Sequence, residues 1–144
     1  MKDHSILIVD DNQDVLRSLK MFLKYEFGPI HLENDPSNIL PLLQKKPVEV
    51  VLLDMNFAPG ERSGKEGLNW LSKIMDFDPS LAVIMLTAYA DIDLAVEAIK
   101  QGAMDFIVKP WDNDKLVSTI RTGLKLSHSQ REAASLRQQK KQLM

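Results

Sequence analysis

The chain has 144 residues, 44% hydrophobic and 26% charged, with a formal net charge of −2. That length suits one domain with a substantial core, and the composition is ordinary for a soluble globular protein. The chain has no cysteine, which excludes disulfides, thiolate catalysis and zinc–sulfur sites, and no apolar run approaches the roughly 20 residues of a membrane-spanning helix.

In chain order, apolar runs alternate with longer amphipathic segments. The opening MKDHSILIVDD enters a strand-like run with acids behind it, unlike a secretory leader, so a cytoplasmic location is expected. Ile6-Leu7-Ile8-Val9 reads as a first strand, and Val15, Leu16, Leu19, Phe22, Leu23 and Phe27 then recur at helical spacing. A weak run spans Ile30–Glu33. Asp35-Pro36 predicts a helix start, with Pro41 making that helix short, bent or late. Val48–Leu53 is the next strand, followed by a loop rich in Pro, Gly and Ser from about Asn56 to Gly64.

Gly67–Met75 reads as a helix with Leu68, Leu71, Ile74 and Met75 inward, and Leu81–Leu86 as a strand. Asp91–Gln101 is a helix with Ile92, Ala95, Val96 and Ile99 on one side and Gly102 as its stop. Met104–Val108 is a fifth strand. Asp112 caps a last helix bearing Leu116, Val117, Ile120 and Leu124. Five strand–helix repeats with near-continuous apolar strands imply an α/β fold with a parallel sheet covered on both faces. Its crossovers would be right-handed, and ligands would bind outside the carboxyl ends of the strands.

Those ends carry the chemistry. The first strand ends in Asp10-Asp11, the third in Asp54, the fourth in Thr87-Ala88 and the fifth in Lys109-Pro110. A parallel sheet brings them to one edge. Clustered carboxylates repel one another and favour a hard divalent cation such as Mg2+. A carboxylate can attack phosphorus and form an aspartyl phosphate, provided its charge is neutralised by a metal and a lysine. A hydroxyl can then bond a phosphoryl oxygen. Taken singly, each residue has a plainer role: an acid after a strand is ordinarily a helix cap, Asp14 could cap equally well, and a lone threonine or lysine is a turn residue or a solvated charge. The four strand ends together carry the functional reading.

With ILIVDD (Ile6–Asp11), VLLDM (Val51–Met55), IMLTAY (Ile84–Tyr89) and DFIVKPW (Asp105–Trp111), the chain resembles the receiver domain of bacterial two-component response regulators over about residues 5 to 125. The resemblance implies a doubly wound, flavodoxin-like (CheY-like) sheet in the order 2-1-3-4-5, with a receiver domain over 1–125 and a helical linker, or the start of an output region, over 126–144. It implies that Asp54 accepts a phosphoryl group from a histidine kinase. Asp10, Asp11, Asp54 and the Asn56 carbonyl would hold Mg2+, while Thr87 and Lys109 would bond the phosphoryl group. Lys109-Pro110 would be cis, and Phe106 would be the switch aromatic, acting by packing because it lacks a hydroxyl. Asn56 and Tyr89 would influence how long the phosphoryl group lasts. Beyond self-phosphorylation and autodephosphorylation, no enzyme activity is implied. A homodimer through the face of the fourth helix, fifth strand and fifth helix is a further expectation. No membrane partner is implied.

Three features qualify this picture. The loop after Asp54 is several residues longer than the family's usual turn. The segment TAYADIDLAVEAIKQGAMDFIVKPW is similar to receivers of sigma-54-dependent (NtrC-type) transcriptional activators, yet the chain has no GxxxxGK[ST] loop and no helix-turn-helix. DNA would be reached only through an output domain outside this sequence, which reads as a piece of a longer protein. From Arg121 to Met144 there are six Lys/Arg against one acid, a local +5 against −7 for the rest. This tail reads as a solvated linker helix in preference to a nucleic-acid site, and Leu136 and Leu143, seven apart, are only a weak coiled-coil signal. An aspartyl-phosphate phosphohydrolase would need a second acid two residues past the nucleophile, where Asn56 stands. A receiver acting only as an interaction module would lack one of the site residues, and none is missing.

Overall fold

The computed structural model describes residues 5–55 and 65–142. Five parallel strands form one sheet: β1 (Ile6–Val9), β2 (Ile30–Glu33), β3 (Val50–Asp54), β4 (Ala82–Ala88) and β5 (Asp105–Lys109), in the order 2-1-3-4-5. Helices α1 (Gln13–Leu23), α2 (Ile39–Lys45), α3 (Lys65–Phe77), α4 (Ile92–Lys100) and α5 (Asn113–Gln142) alternate with the strands. This is the flavodoxin-like arrangement expected. The loop expected over 56–64, and Asn56 with it, lies outside the described residues.

Strand alternation divides the core. Leu7, Val9, Val51, Leu53, Val83 and Met85 face α2, α3 and α4, where Ile39, Leu43, Leu71, Ile74 and Ala98 meet them. Ile6, Ile8, Val50, Leu52, Ile84 and Ile107 face α1 and α5, meeting Leu16, Leu19, Leu23, Leu116, Ile120 and Leu124. Because both faces are covered, β1 is buried along its whole length, which explains its unbroken ILIV. Burying each such side chain contributes about 1.5–3 kcal/mol, against which the entropy of ordering it must be set.

The local signals act as their chemistry requires. Asp35 accepts a hydrogen bond from the Ser37 amide and starts a short 3-10 turn at Pro36–Asn38; α2 begins only after it, the late start that Pro41 predicts. Gly102 adopts φ +116° directly after Gln101, the C-cap of α4, a conformation costly for any side chain. Asp112 accepts from the Asp114 amide and opens α5. Two expectations need correction. Val96 and Ile99 are 43% and 40% exposed, whereas Ala95 and Ala98 are fully buried and Leu94 packs beside them; α4 lays its alanines on the sheet and turns Val96 and Ile99 outward. Helix α3 begins at Lys65 and ends at Phe77, longer than the apolar periodicity indicates.

Gly67, in the first turn of α3, donates its amide to the Met55 carbonyl at 3.2 Å. A Cβ at Gly67 would lie 2.7 Å from that oxygen and 2.8 Å from the Met55 Cα. The absence of a side chain therefore lets α3 rest on the backbone immediately after Asp54. Gly67→Ala is expected to cost about 1–3 kcal/mol through this overlap, read as a fall in the urea midpoint at unchanged slope. An unaltered midpoint would show that the helix can shift without cost.

Candidate functional site

Parallel register assembles the site. Val9 pairs with Leu53, so the next residues, Asp10 and Asp54, lie side by side at the strand ends. Asp54 pairs with Leu86, and the next residue is Thr87; Ala88 pairs with Lys109. The four sequence-distant strand ends thus converge at one edge.

The acids are not the caps that they resemble singly. Helix α1 is capped by Asn12, whose side chain accepts from the Asp14 and Val15 amides. Asp10 is 1% exposed and accepts the Asn12 amide through one oxygen at 2.9 Å. Its other oxygen accepts from the Lys109 ammonium at 2.9 Å, and the same ammonium donates to Asp54 at 3.1 Å. Asp11 is exposed beside them. Oxygens of Asp10, Asp11 and Asp54 all lie within 4.8 Å of one another, a set that could hold a metal ion. Asn12 is the residue that sequence reasoning misses, although an Asn ahead of an apolar periodic segment is itself a cap signal.

Burial dominates the electrostatics of Asp54. Removal from water pushes its carboxyl up to about 6, Asp10 and Asp11 push the same way, and Lys109 opposes them without prevailing. Asp11 is raised too, first by desolvation and then by Asp10. Burial works against the Lys109 ammonium, but Asp54 and Asp10 outweigh it and hold its pKa above the ordinary lysine value. One cation thus faces more carboxylate charge than it neutralises. A hard dication would complete the balance, and oxygen-only donors suit one.

Of the other predicted residues that are described, Thr87, Lys109 and Tyr89 lie at or just past this edge, and Phe106 lies further back along β5, paired with Met85. Thr87 is buried, with its hydroxyl donating to the Ala88 carbonyl at 3.2 Å. The Lys109–Pro110 peptide is cis. Phe106, on β5, is half-buried against the α2–α4 side of the core. Tyr89 is 79% exposed in the 3-10 turn Tyr89–Asp91. No helix among the described residues is long and apolar enough to cross a membrane.

The sequence matches the response regulator receiver domain family over residues 6–121. It is 35% identical over 119 residues to the transcriptional regulatory protein ZraR of Klebsiella oxytoca, covering 83% of this chain and 26% of that protein. It is 36% identical over 133 residues to a putative response regulator NtrX-like protein of Rickettsia bellii, covering 92% and 27%. The chain therefore spans about a quarter of the length of these curated relatives. The N-terminal signal receiver domain of a two-component system response regulator from Bacteroides fragilis has a similar structure, at 45% identity and TM-score 0.77, covering 84% of this chain and 96% of that one. NtrX from Brucella abortus, in complex with ATP, matches with TM-score 0.82 at 32% identity, covering 94% and 30%.

The raised Asp54 carboxyl has a consequence for stability. Its folded pKa exceeds the ordinary value of 3.8, so the folded state holds the proton more tightly than the unfolded chain. Stability is thus lost as pH rises through the window from 3.8 to about 6. Asp54→Asn removes that cost. Without divalent cations at pH 7.5, the variant is expected to be more stable than the parent by about 1–3 kcal/mol, with the difference shrinking as pH falls through this window. Denaturant melts across pH measure it; a variant less stable at pH 7.5 would contradict the electrostatic picture.

Proposed function

Because the chain belongs to the response regulator receiver domain family, we propose that Asp54 accepts a phosphoryl group from the phosphohistidine of a partner kinase. The observation that carries this reading is the Lys109 ammonium spanning Asp10 and Asp54 at the strand edge. It leaves Asp54 as a nearly buried carboxylate with a cation already beside it. Attack by an Asp54 oxygen on phosphorus forms the acyl phosphate and releases the kinase histidine. Lys109 stays in place to neutralise charge on the incoming phosphoryl oxygens.

Asp10, Asp11 and Asp54, together with the Asn56 carbonyl, would hold Mg2+. When bound, that ion supplies charge neutralisation at the phosphoryl oxygens, which crowded carboxylates cannot supply themselves. The product carries about −2 charge and three strong acceptors. Thr87 then gives up its Ala88 carbonyl for a phosphoryl oxygen, and Phe106 repacks beside β5. The change is a population shift, driven by bonds that only one state can make. Autodephosphorylation resets it, and by the family resemblance the identities of Asn56 and Tyr89 would influence how long the phosphoryl group lasts.

The readout surface is the face of α4, β5 and α5, where the exposed Val96 and Ile99 offer apolar area for a homodimer. The output is transcriptional control of the sigma-54-dependent kind, exerted in the cytoplasm through a DNA-binding region outside this sequence. The resemblance of the Thr87–Trp111 segment and the transcriptional regulators among the relatives support that reading.

Incubation with Mg2+ and a small phosphodonor is expected to add the mass of one phosphoryl group to the intact protein, and none to Asp54→Asn. Addition that survives this substitution would overturn the assignment. Light scattering of the phosphorylated protein at high concentration tests the dimer; persistence as a monomer would remove that part of the proposal.

A further inference from the structure

The packed face of α5 does not stop where the family resemblance does. Leu116, Ile120, Leu124 and Ser127 are all buried, at helical spacings of four, four and three, and Arg131 comes four residues later on the same side. Arg131 is half-buried, whereas residues 128–130 before it and 132–140 after it are exposed. Its guanidinium donates to the Val48 carbonyl at 2.6 Å and to the Ser80 hydroxyl at 3.0 Å, and lies 3.5 Å from Asp78. The Ser80 hydroxyl in turn donates to Asp78 at 2.6 Å. Beyond this point a groove of about 350 Å3 opens between Pro79 and Ser80 on one side and Ala133, Ala134 and Arg137 on the other.

The partners are informative. Val48 stands two residues before β3, and Ser80 two residues before β4. These are the strands whose far ends carry Asp54 and Thr87. Arg131 therefore grips the N-terminal feet of the two strands that hold the acceptor and the hydroxyl. A planar guanidinium can satisfy several acceptors at fixed angles, and a hydrogen bond from a charged donor to a carbonyl is stronger than a neutral one. The Asp78 contact, being partly exposed, adds little by itself.

We infer that Arg131 is a clamp: the folded body of the receiver runs to residue 131, past the boundary near 125, and the helix beyond it leaves in a fixed direction set by the feet of β3 and β4. An output region attached to that helix is then coupled through a rigid lever and not a flexible tether. This consequence for signalling rests on the phosphorylation reading, whereas the clamp itself does not.

The absence of native cysteine allows a clean test. Spin labels at Ser72→Cys on α3 and Gln138→Cys on the arm, both exposed positions, report the distance distribution between body and arm. The parent should give a narrow distribution. Arg131→Ala should widen it at least twofold, and Arg131→Lys, a point charge that cannot reach all three partners, should fall between. Ser80→Ala, which removes one acceptor and leaves the helix sequence intact, should widen it more modestly and guards against misfolding of the arginine variants. Equal widths in the parent, Arg131→Ala and Ser80→Ala would overturn the clamp. Intact mass after phosphodonor treatment of the same samples reads the phosphorylation proposal separately: a narrow parent distribution without phosphoryl addition supports the clamp and removes only its signalling consequence.

Discussion

The contact on which the rest depends is the Lys109 ammonium held between Asp10 and Asp54, at 2.9 and 3.1 Å. Three carboxylates gathered at one sheet edge repel one another, and two of them are almost entirely removed from water. Without a cation among them, a charged cluster of this kind would cost far more than its hydrogen bonds return. Lysine makes the cluster tolerable but leaves it short of positive charge. That shortfall is what a divalent cation and a phosphoryl oxygen can each exploit, so stability and chemistry at this edge are two views of one imbalance.

The sheet makes the imbalance possible. Parallel pairing with Val9 opposite Leu53 and Ala88 opposite Lys109 forces the strand ends into line whatever their chemistry. Two apolar layers cover the faces and leave the carboxyl edge as the place where polar side chains collect. Gly67 tightens the arrangement on one side by allowing α3 onto the Met55 backbone. Arg131 holds the opposite ends of β3 and β4. The strand that carries Asp54 is thus braced at both ends, and the one that leads to Thr87 at its N-terminal foot.

Much of this is legible in the sequence because the central strands β1, β3 and β4 are short runs that are apolar up to their carboxyl ends and because punctuation residues stand where the geometry requires them. Asp35, Gly102 and Asp112 each mark the boundary that their chemistry implies. The site residues are legible for a related reason: strand ends in a parallel sheet share an edge, so their identities can be combined without knowing distances. The failures have physical causes. Hydrophobicity alone turns Val96 and Ile99 inward, but α4 approaches the sheet closely enough that Ala95 and Ala98 fill the space. Asn12 is hard to single out as the cap of α1 because three acids nearby could also serve. The reach of Arg131 to Val48 and Ser80 spans 83 and 51 residues of sequence, and no periodicity announces a contact of that range.

The most direct measurement of the central claim is to locate the modified residue. Borohydride reduces an aspartyl phosphate to homoserine, leaving a permanent mark that peptide mapping can place. After treatment with Mg2+ and a small phosphodonor, homoserine is expected at position 54 and at no other aspartate. Homoserine at Asp10 or Asp11, or its absence from the whole chain, would contradict the account.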